Sequence, residues 1–305
     1  MSGLTRELAL FAIQVPVPSV PLPVRDLIRG RLAQAAGLAA AHAAQPSPEA
    51  LVRTLAAFSN SDQVGLLGRR ERLGLCDAPV VTASAVWSGW QSLCREDGGL
   101  QASNEAWPDG PVAAAALAVG EYTNADGVEV LNAVLLGTEI GLRVEWAMSA
   151  AYAVSGWTVG AVASRLGAAV AAGRLLGLNA DQMVSALGLA ATEVAGLADA
   201  ATSPAGAVTV GKAAGDGVEA AVLALEGFHG PAAPLEGRRG LLAILTPGLP
   251  DLQSITRALG STWRVSELTD RDGRTGWLGD GHTAQVALEL LNHKDMTSLL
   301  EASHG

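Results

Sequence analysis

The sequence predicts a mainly α-helical fold, on three observations. Apolar residues recur at helical spacing through most of the 305-residue chain, and helix-start signatures precede several of those stretches. The apolar volume comes mostly from Ala, Val and Leu: the chain is 49% hydrophobic with only 4% aromatic residues and carries 36 glycines, so its core has to be built from closely approaching backbones.

The elements follow in order. Beyond Pro21 and Pro23, residues 24–44 set Val24, Leu27, Ile28, Leu32 and Ala35 on one face, with Arg25, Arg29 and Arg31 off it. Ser47 reads as the N-cap and Pro48 as the first position of a second helix. Residues 111–120, 127–150 and 160–176 continue the helical pattern, each rich in Ala and interrupted by Gly. Asn179 followed by Gln182 is a capping-box arrangement that starts a helix over 180–191. A further helix spans 210–225 and is closed by Gly227. Gly160, Ser164, Gly167, Ala168, Ala171 and Ala172 form a small-residue face that lets helices pack at short separation. Residues 261–268 alternate, with Trp263 and Val265 on one side, and predict a strand; a polar Gly-rich loop over 269–281 and a helix over 282–291 follow.

Charge and composition exclude several functions. Thirty acidic against 20 basic side chains give a net charge of -10, and the basic clusters Arg69-Arg70 and Arg238-Arg239 are short, so no nucleic-acid partner is expected. The longest apolar runs, such as residues 112–119, are far too short to span a bilayer, which takes about 18 residues or more. Arg6 and Glu7 precede any apolar run, so no signal peptide is expected and the protein is placed in the cytoplasm. Charged residues make up only 16% of the chain, which favours an oligomer that buries a large face. Cys76 and Cys94 have no metal or redox spacing and read as reduced structural thiols.

Familiar motifs fail on inspection. The stretch from Gly206 to Ala213 approaches a phosphate-binding loop, but Ala213 stands where a magnesium-holding hydroxyl belongs and no apolar strand precedes it. His42, His229, His282, His293 and His304 are scattered without a second ligand at helical spacing, so no metal site is expected. There is no Gly-x-Ser-x-Gly elbow.

A longer pattern is more informative. Gly156-Trp157-Thr158, then Gly167 through Leu178 (GAAVAAGRLLGL), Ala186 through Ala191 (ALGLAA) and Gly196-Leu197 resemble the signature region of the MmgE/PrpD family, which includes 2-methylcitrate dehydratase and cis-aconitate decarboxylase. Lys212-Ala213-Ala214, Glu226 through Pro231 (EGFHGP) and Leu235-Glu236-Gly237 are similar to the segment that follows in those enzymes, and Gly137 through Arg143 (GTEIGLR) to one that precedes. The resemblance covers most of residues 4–291 and is specific over 112–240. It implies an all-helical large domain that forms a homodimer, a smaller α/β lid, and a site between them. On this register residues 1–255 form the helical domain and 256–305 a remnant of the lid (strand, loop and helix), the lid being largely missing from a chain shorter than usual members.

The departures from the family pattern bear on function. Where the family has Asp-Phe-Asp-Asp this chain has Cys94-Arg95-Glu96-Asp97, and His-Pro-Ser becomes Trp107-Pro108-Asp109. Phe-His-Pro-Thr becomes Trp157-Thr158-Val159-Gly160, and Lys-Arg-Leu-His-Ala-Gly becomes Gly206-Ala207-Val208-Thr209-Val210-Gly211. The lid loop keeps Arg274 and His282 in place of a Lys and a His. Holding several carboxylates and moving a proton near neutral pH is work suited to Lys and His, and most of those are gone. An aromatic, hydroxyl-lined cleft suits a more neutral ligand.

The expected function is therefore a remodelled lyase of natural-product metabolism that dehydrates, isomerises or cyclises a largely neutral small molecule without a cofactor. Glu96, Asp97 and Asp216 are the candidate acid/base groups, with Trp107, Trp157, Thr158, Thr209, Lys212, Arg274 and His282 as candidate substrate contacts. The alternatives are a non-catalytic binding or partner subunit and an ordinary carboxylate dehydratase or decarboxylase.

Overall fold

A computed structural model describes residues 3–96, 109–148, 156–246 and 251–268, with side chains in the helix over residues 78–96 described as far as Ser92. Its described residues hold eleven α-helices: α1 (Leu4–Gln14), α2 (Leu22–His42), α3 (Pro46–Phe58), α4 (Ala78–Glu96), α5 (Asp109–Thr123), α6 (Gly127–Ala147), α7 (Val159–Leu175), α8 (Ala180–Thr192), α9 (Ala205–Leu225), α10 (Leu241–Leu245) and α11 (Leu252–Thr256). The expectation of a mainly helical fold holds. Its one described sheet is a two-stranded antiparallel hairpin, β1 (Val64–Gly65) and β2 (Arg72–Leu73), tied to α5 by the Arg72–Glu121 ion pair at 3.0 Å.

α7 is the axis of the molecule. Fifteen of its 17 residues, from Val159 to Gly173, are buried, and it packs against α5, α6, α8 and α9. The small-residue face explains how: a Cβ on Gly137 of α6 would sit 2.4 Å from the Gly167 carbonyl oxygen, and one on Gly167 would sit 2.6 Å from that of Gly137. Only hydrogen fits at either position, so the two backbones touch. With apolar neighbours on all sides, α5 and α7 carry no amphipathic stripe.

Helix starts follow local chemistry. The Asn179 side chain accepts from the N–H groups of Asp181 and Gln182 at 3.0 Å, and Gln182 Oε1 accepts the Asn179 N–H at 3.0 Å, as its spacing predicts. Asp126 and Glu129 form the same box at the start of α6. The α3 start is corrected: the helix begins at Pro46 with Gln45 at the N-cap, two residues earlier than Ser47 suggested, because two prolines can occupy its unpaired first turn.

Residues 261–268 are not the expected strand. They form a turn and a 3-10 helix (Arg264–Glu267) pressed onto α6. The physical reason is a buried ion pair. Glu139 and Arg143, 0% and 2% exposed, lie one turn apart on α6 and pair at 2.6 Å. Glu139 accepts the N–H groups of Arg264 and Val265 at 3.0 and 2.9 Å, and Arg143 donates to the carbonyls of Ile255, Arg257 and Thr262 at 2.8, 3.0 and 2.6 Å. A strand would turn those backbone groups to a neighbouring strand; here the helix takes them. Trp263, Val265 and Leu268 are buried, so this strap belongs to the core of the helical body. The loop and helix expected over residues 269–291 lie outside the described residues.

Candidate functional site

The site is built on α9, whose sides differ in chemistry. Toward α4, Gly211 brings its backbone so close that a Cβ would lie 2.5 Å from the Val80 carbonyl; toward α7, a Cβ on Gly217 would lie 2.8 Å from that of Arg165. Both neighbouring helices therefore pack tightly on α9, and its remaining face carries Thr209, Lys212, Asp216 and Glu219 at spacings of three and four residues. Lys212 and Glu219 are exposed, Thr209 is half-buried and Asp216 is buried.

Asp216 holds two cations at once. Its Oδ2 takes Nη2 of Arg165, from α7, at 2.9 Å, and its Oδ1 takes Nζ of Lys212 at 2.8 Å. Arg165 is 1% exposed, and its Nε and Nη1 are buried with no hydrogen-bond acceptor among the described residues. Each such orphaned donor costs about 1–3 kcal/mol. Burial pulls the Lys212 pKa down, but the hydrogen bond and charge of Asp216 outweigh it and leave the ammonium raised. Glu193, at the C-cap of α8, has its carboxyl pushed up by partial burial and by the charges of Asp216 and Glu219. The Cys76 thiol is pushed up to about 11, by burial first and then by Glu219 and Asp77. These groups form one neighbourhood with more carboxylates than cations.

Thr158 and Thr209 meet around Gly196. Thr158 is 3% exposed at the N-cap position of α7; its N–H donates to the Gly196 carbonyl at 3.1 Å and its hydroxyl to the Leu197 carbonyl at 2.9 Å. Trp157 bridges Leu197 on the adjoining residue, so residues 156–158 are stitched to 196–198. Gly196 has φ +132°, and a Cβ there would come within 2.7 Å of the Thr209 methyl group and 3.5 Å of Thr158 Cβ. The Thr209 hydroxyl donates to the Ala205 carbonyl at 3.1 Å. Both hydroxyl protons are thus directed to backbone, which leaves the two oxygens as acceptors for a ligand.

The aromatic wall is one that sequence reasoning missed. Trp87 and Trp90 of α4 stack at 5.0 Å between ring centroids and 29° between planes. Trp87 is 2% exposed and lies under the start of α9, in a small core of Ala and Val side chains from α4, α5, α7 and α9. A Cβ on Gly206 would stand 3.0 Å from Trp87 Nε1 and 2.9 Å from the Ala200 carbonyl. On the register of the resemblance, Gly206 falls where the family has a lysine. Any side chain there would press on both the Ala200 carbonyl and the Trp87 indole. The signal available in the sequence was a pair of tryptophans three residues apart, Trp87 and Trp90, in an otherwise small-residue stretch.

Of the ten candidate residues, the structure brings Lys212 to Asp216, and Thr158 to Thr209 with Trp157 beside them. Glu96 ends α4 without a described side chain, and Asp97, Trp107, Arg274 and His282 lie outside the described residues. Among the described residues no group of three His, Cys, Asp or Glu could hold a metal ion, and no helix is long and apolar enough to cross a membrane. An open cavity of about 480 Å³ lies elsewhere, at the α5–α6 turn beside Asn132 and Arg174. Its guanidinium is already engaged by the carbonyls of Ala12 and Val15 at 2.6 and 2.9 Å and by the Asn132 amide oxygen, so the charged site is the stronger candidate.

Over 197 residues the chain is 26% identical to a cis-aconitate decarboxylase of Aspergillus terreus, covering 64% of this chain and 40% of that protein. Over 199 residues it is 27% identical to the cis-aconitate decarboxylase-like protein oryM of Aspergillus oryzae, covering 64% and 41%. The chain thus spans about two fifths of the length of these curated relatives. The MmgE/PrpD N-terminal domain matches residues 6–253, which takes in every helix from α2 to α10 and the whole of the described site, and the chain therefore belongs to the MmgE/PrpD family.

Proposed function

We propose that this chain forms the helical part of a lyase-like enzyme of specialised metabolism whose cleft takes an uncharged or singly charged intermediate. The observation that carries the reading is Gly206, where the family register expects a lysine: a Cβ there would stand 2.9 Å from the Ala200 carbonyl and 3.0 Å from Trp87 Nε1. Further along α9 the cations Arg165 and Lys212 are both engaged by Asp216, while Glu193 and Glu219 add negative charge. Such a site repels a tricarboxylate and accommodates a ligand bound by shape, stacking and a few hydrogen bonds.

The reaction is a dehydration, isomerisation or cyclisation that needs no cofactor. Confinement of a reactive conformer supplies much of the acceleration, since orientation alone contributes several kcal/mol in well-aligned reactions. Glu193, its carboxyl pushed up by partial burial and by the charges of Asp216 and Glu219, is the described acid/base candidate beside Asp216. The Thr158 and Thr209 oxygens accept hydrogen bonds that fix its orientation. Trp107, Asp97, Arg274 and His282 remain assigned to the same cleft from the family register.

The second reading, an ordinary carboxylate dehydratase or decarboxylase, is favoured by the names of the two relatives. Turnover assays with cis-aconitate and 2-methylcitrate separate the two. The expected result is no product from either; conversion that Asp216→Asn abolishes would establish the second reading and overturn the first.

A further inference from the structure

We infer that the open cavity where α5 turns into α6 is a second ligand site, one that takes a primary ammonium ion carrying an apolar body. None of the residues lining it belongs to the α9 site.

The cavity measures about 480 Å³, within the roughly 300–1,000 Å³ that small-molecule sites occupy. Ile13, Val17, Leu175 and Leu178 supply an apolar wall, and Thr123, Asn124 and Glu129 a polar one. α5 ends there at Thr123 and α7 at Leu175, and helix C-termini favour positive charge.

The two charged side chains decide which ligand fits. Arg174 donates through Nη1 to the Ala12 carbonyl, through Nη2 to that of Val15, and through Nε and Nη2 to the Asn132 amide oxygen. Four of its five N–H groups are thereby used on neutral oxygens, which leaves little for an anion. Asn132 is 2% exposed, so this cation is held at the floor of the cavity. Glu129, one turn earlier on α6, is exposed at its mouth. Its Oε2 accepts the Asp126 N–H at 3.0 Å, which fixes the carboxylate, while its Oε1 meets no donor among the described residues. With Asp126 beside it, two carboxylates stand against one guanidinium, a balance of one negative charge for one positive. A single open carboxylate oxygen suits an ammonium N–H better than a metal ion, which takes several ligands.

2-Phenylethylamine, 2-phenylethanol and phenylalanine are the probes, each titrated calorimetrically near neutral pH into the purified chain and its variants. The amine is expected to bind in the millimolar range, the alcohol about fivefold more weakly for want of the charge, and phenylalanine no tighter than the amine. Glu129→Gln should weaken the amine about fivefold and leave the alcohol unchanged. Glutamine keeps the capping box, as Gln182 does at the start of α8, so Tm should hold and the loss reports the charge alone. Val17→Ser, at a half-buried position on the apolar wall, should weaken amine and alcohol together.

Absence of amine binding overturns the inference, and so does an alcohol that binds as tightly as the amine. An affinity for the amine that either substitution leaves unchanged places it outside the cavity and overturns the inference as well. Tighter binding of phenylalanine means that Arg174 reads a carboxylate, and refutes the ammonium class. If Glu129→Gln lowers Tm, the ratio of amine to alcohol affinity in the unaltered chain decides by itself. Every one of these failures leaves the function proposed for the α9 site standing, since none of its residues is changed.

Discussion

Replacing Glu139 by glutamine tests whether the strap over residues 251–268 is held by the α6 ion pair. The carboxylate accepts three hydrogen bonds: Arg143 Nε at 2.6 Å and the Arg264 N–H at 3.0 Å on Oε1, and the Val265 N–H at 2.9 Å on Oε2. Glutamine keeps the shape but has one acceptor. Its better orientation leaves oxygen toward Arg143 and Arg264 and sets the amide NH₂ against the Val265 N–H, donor to donor. One hydrogen bond to a charged acceptor is lost, at about 1.5–3 kcal/mol, and a buried N–H is left unsatisfied at about 1–3 kcal/mol. Arg143 loses its counter-charge but keeps three backbone carbonyls. The expected destabilisation is about 3–5 kcal/mol, in the range for breaking a buried pair, and a fall in Tm of roughly 6–15 °C. Urea unfolding gives the free energy, and hydrogen exchange shows where it acts. The amides of Arg264 and Val265 should lose protection before those of α7 do. A loss below about 1 kcal/mol with strap protection unchanged would refute the reasoning.

Two further substitutions and one titration follow from the site. Gly206→Lys should destabilise the chain by about 1–3 kcal/mol by driving a side chain against the Ala200 carbonyl and Trp87. Trp87→Ala in the same chain should recover part of that loss, and strictly additive melting data would count against the steric coupling. Gly196→Ala should disturb the site, because its φ of +132° is unfavourable for alanine and the new methyl would meet Thr209 at 2.7 Å. Ligand binding measured calorimetrically should weaken along with Tm, and an unchanged Tm would show that the loop yields freely. Cys76, ordinarily at 9.0 and raised to about 11, should alkylate on the order of a hundredfold more slowly at pH 8 than an unperturbed thiol, as read by peptide mapping. The native thiol keeps its proton to higher pH than the unfolded one, so this group's contribution to stability should fall as pH rises from 9.0 toward about 11.

What was legible in the sequence was local or repetitive. The capping box at Asn179 and Gln182 needs only four residues to form, and it forms as the spacing requires. The small-residue face on α7 predicted close helix packing because a missing side chain acts in any context. The pairing of Lys212 with Asp216 was likewise within reach, being one turn of a single helix. Arg165 was not singled out, since nothing between residues 165 and 216 says that their side chains meet. The strand over residues 261–268 failed for a related reason. Alternation told correctly that Trp263 and Val265 face inward, but not that the backbone between them would be claimed by Glu139 on another helix.

By itself the sequence determined a helical, tightly packed fold of the MmgE/PrpD family in a chain with two lysines, because composition, spacing and family blocks are written along the chain. The tertiary structure alone decided which distant residues meet. Residues 87 and 206 meet so that an indole closes on the glycine backbone, and residues 165, 212 and 216 meet so that one buried guanidinium keeps two donors unsatisfied among the described residues. Both are contacts between distant segments, fixed by how α4, α7 and α9 pack rather than by any preference of the residues themselves.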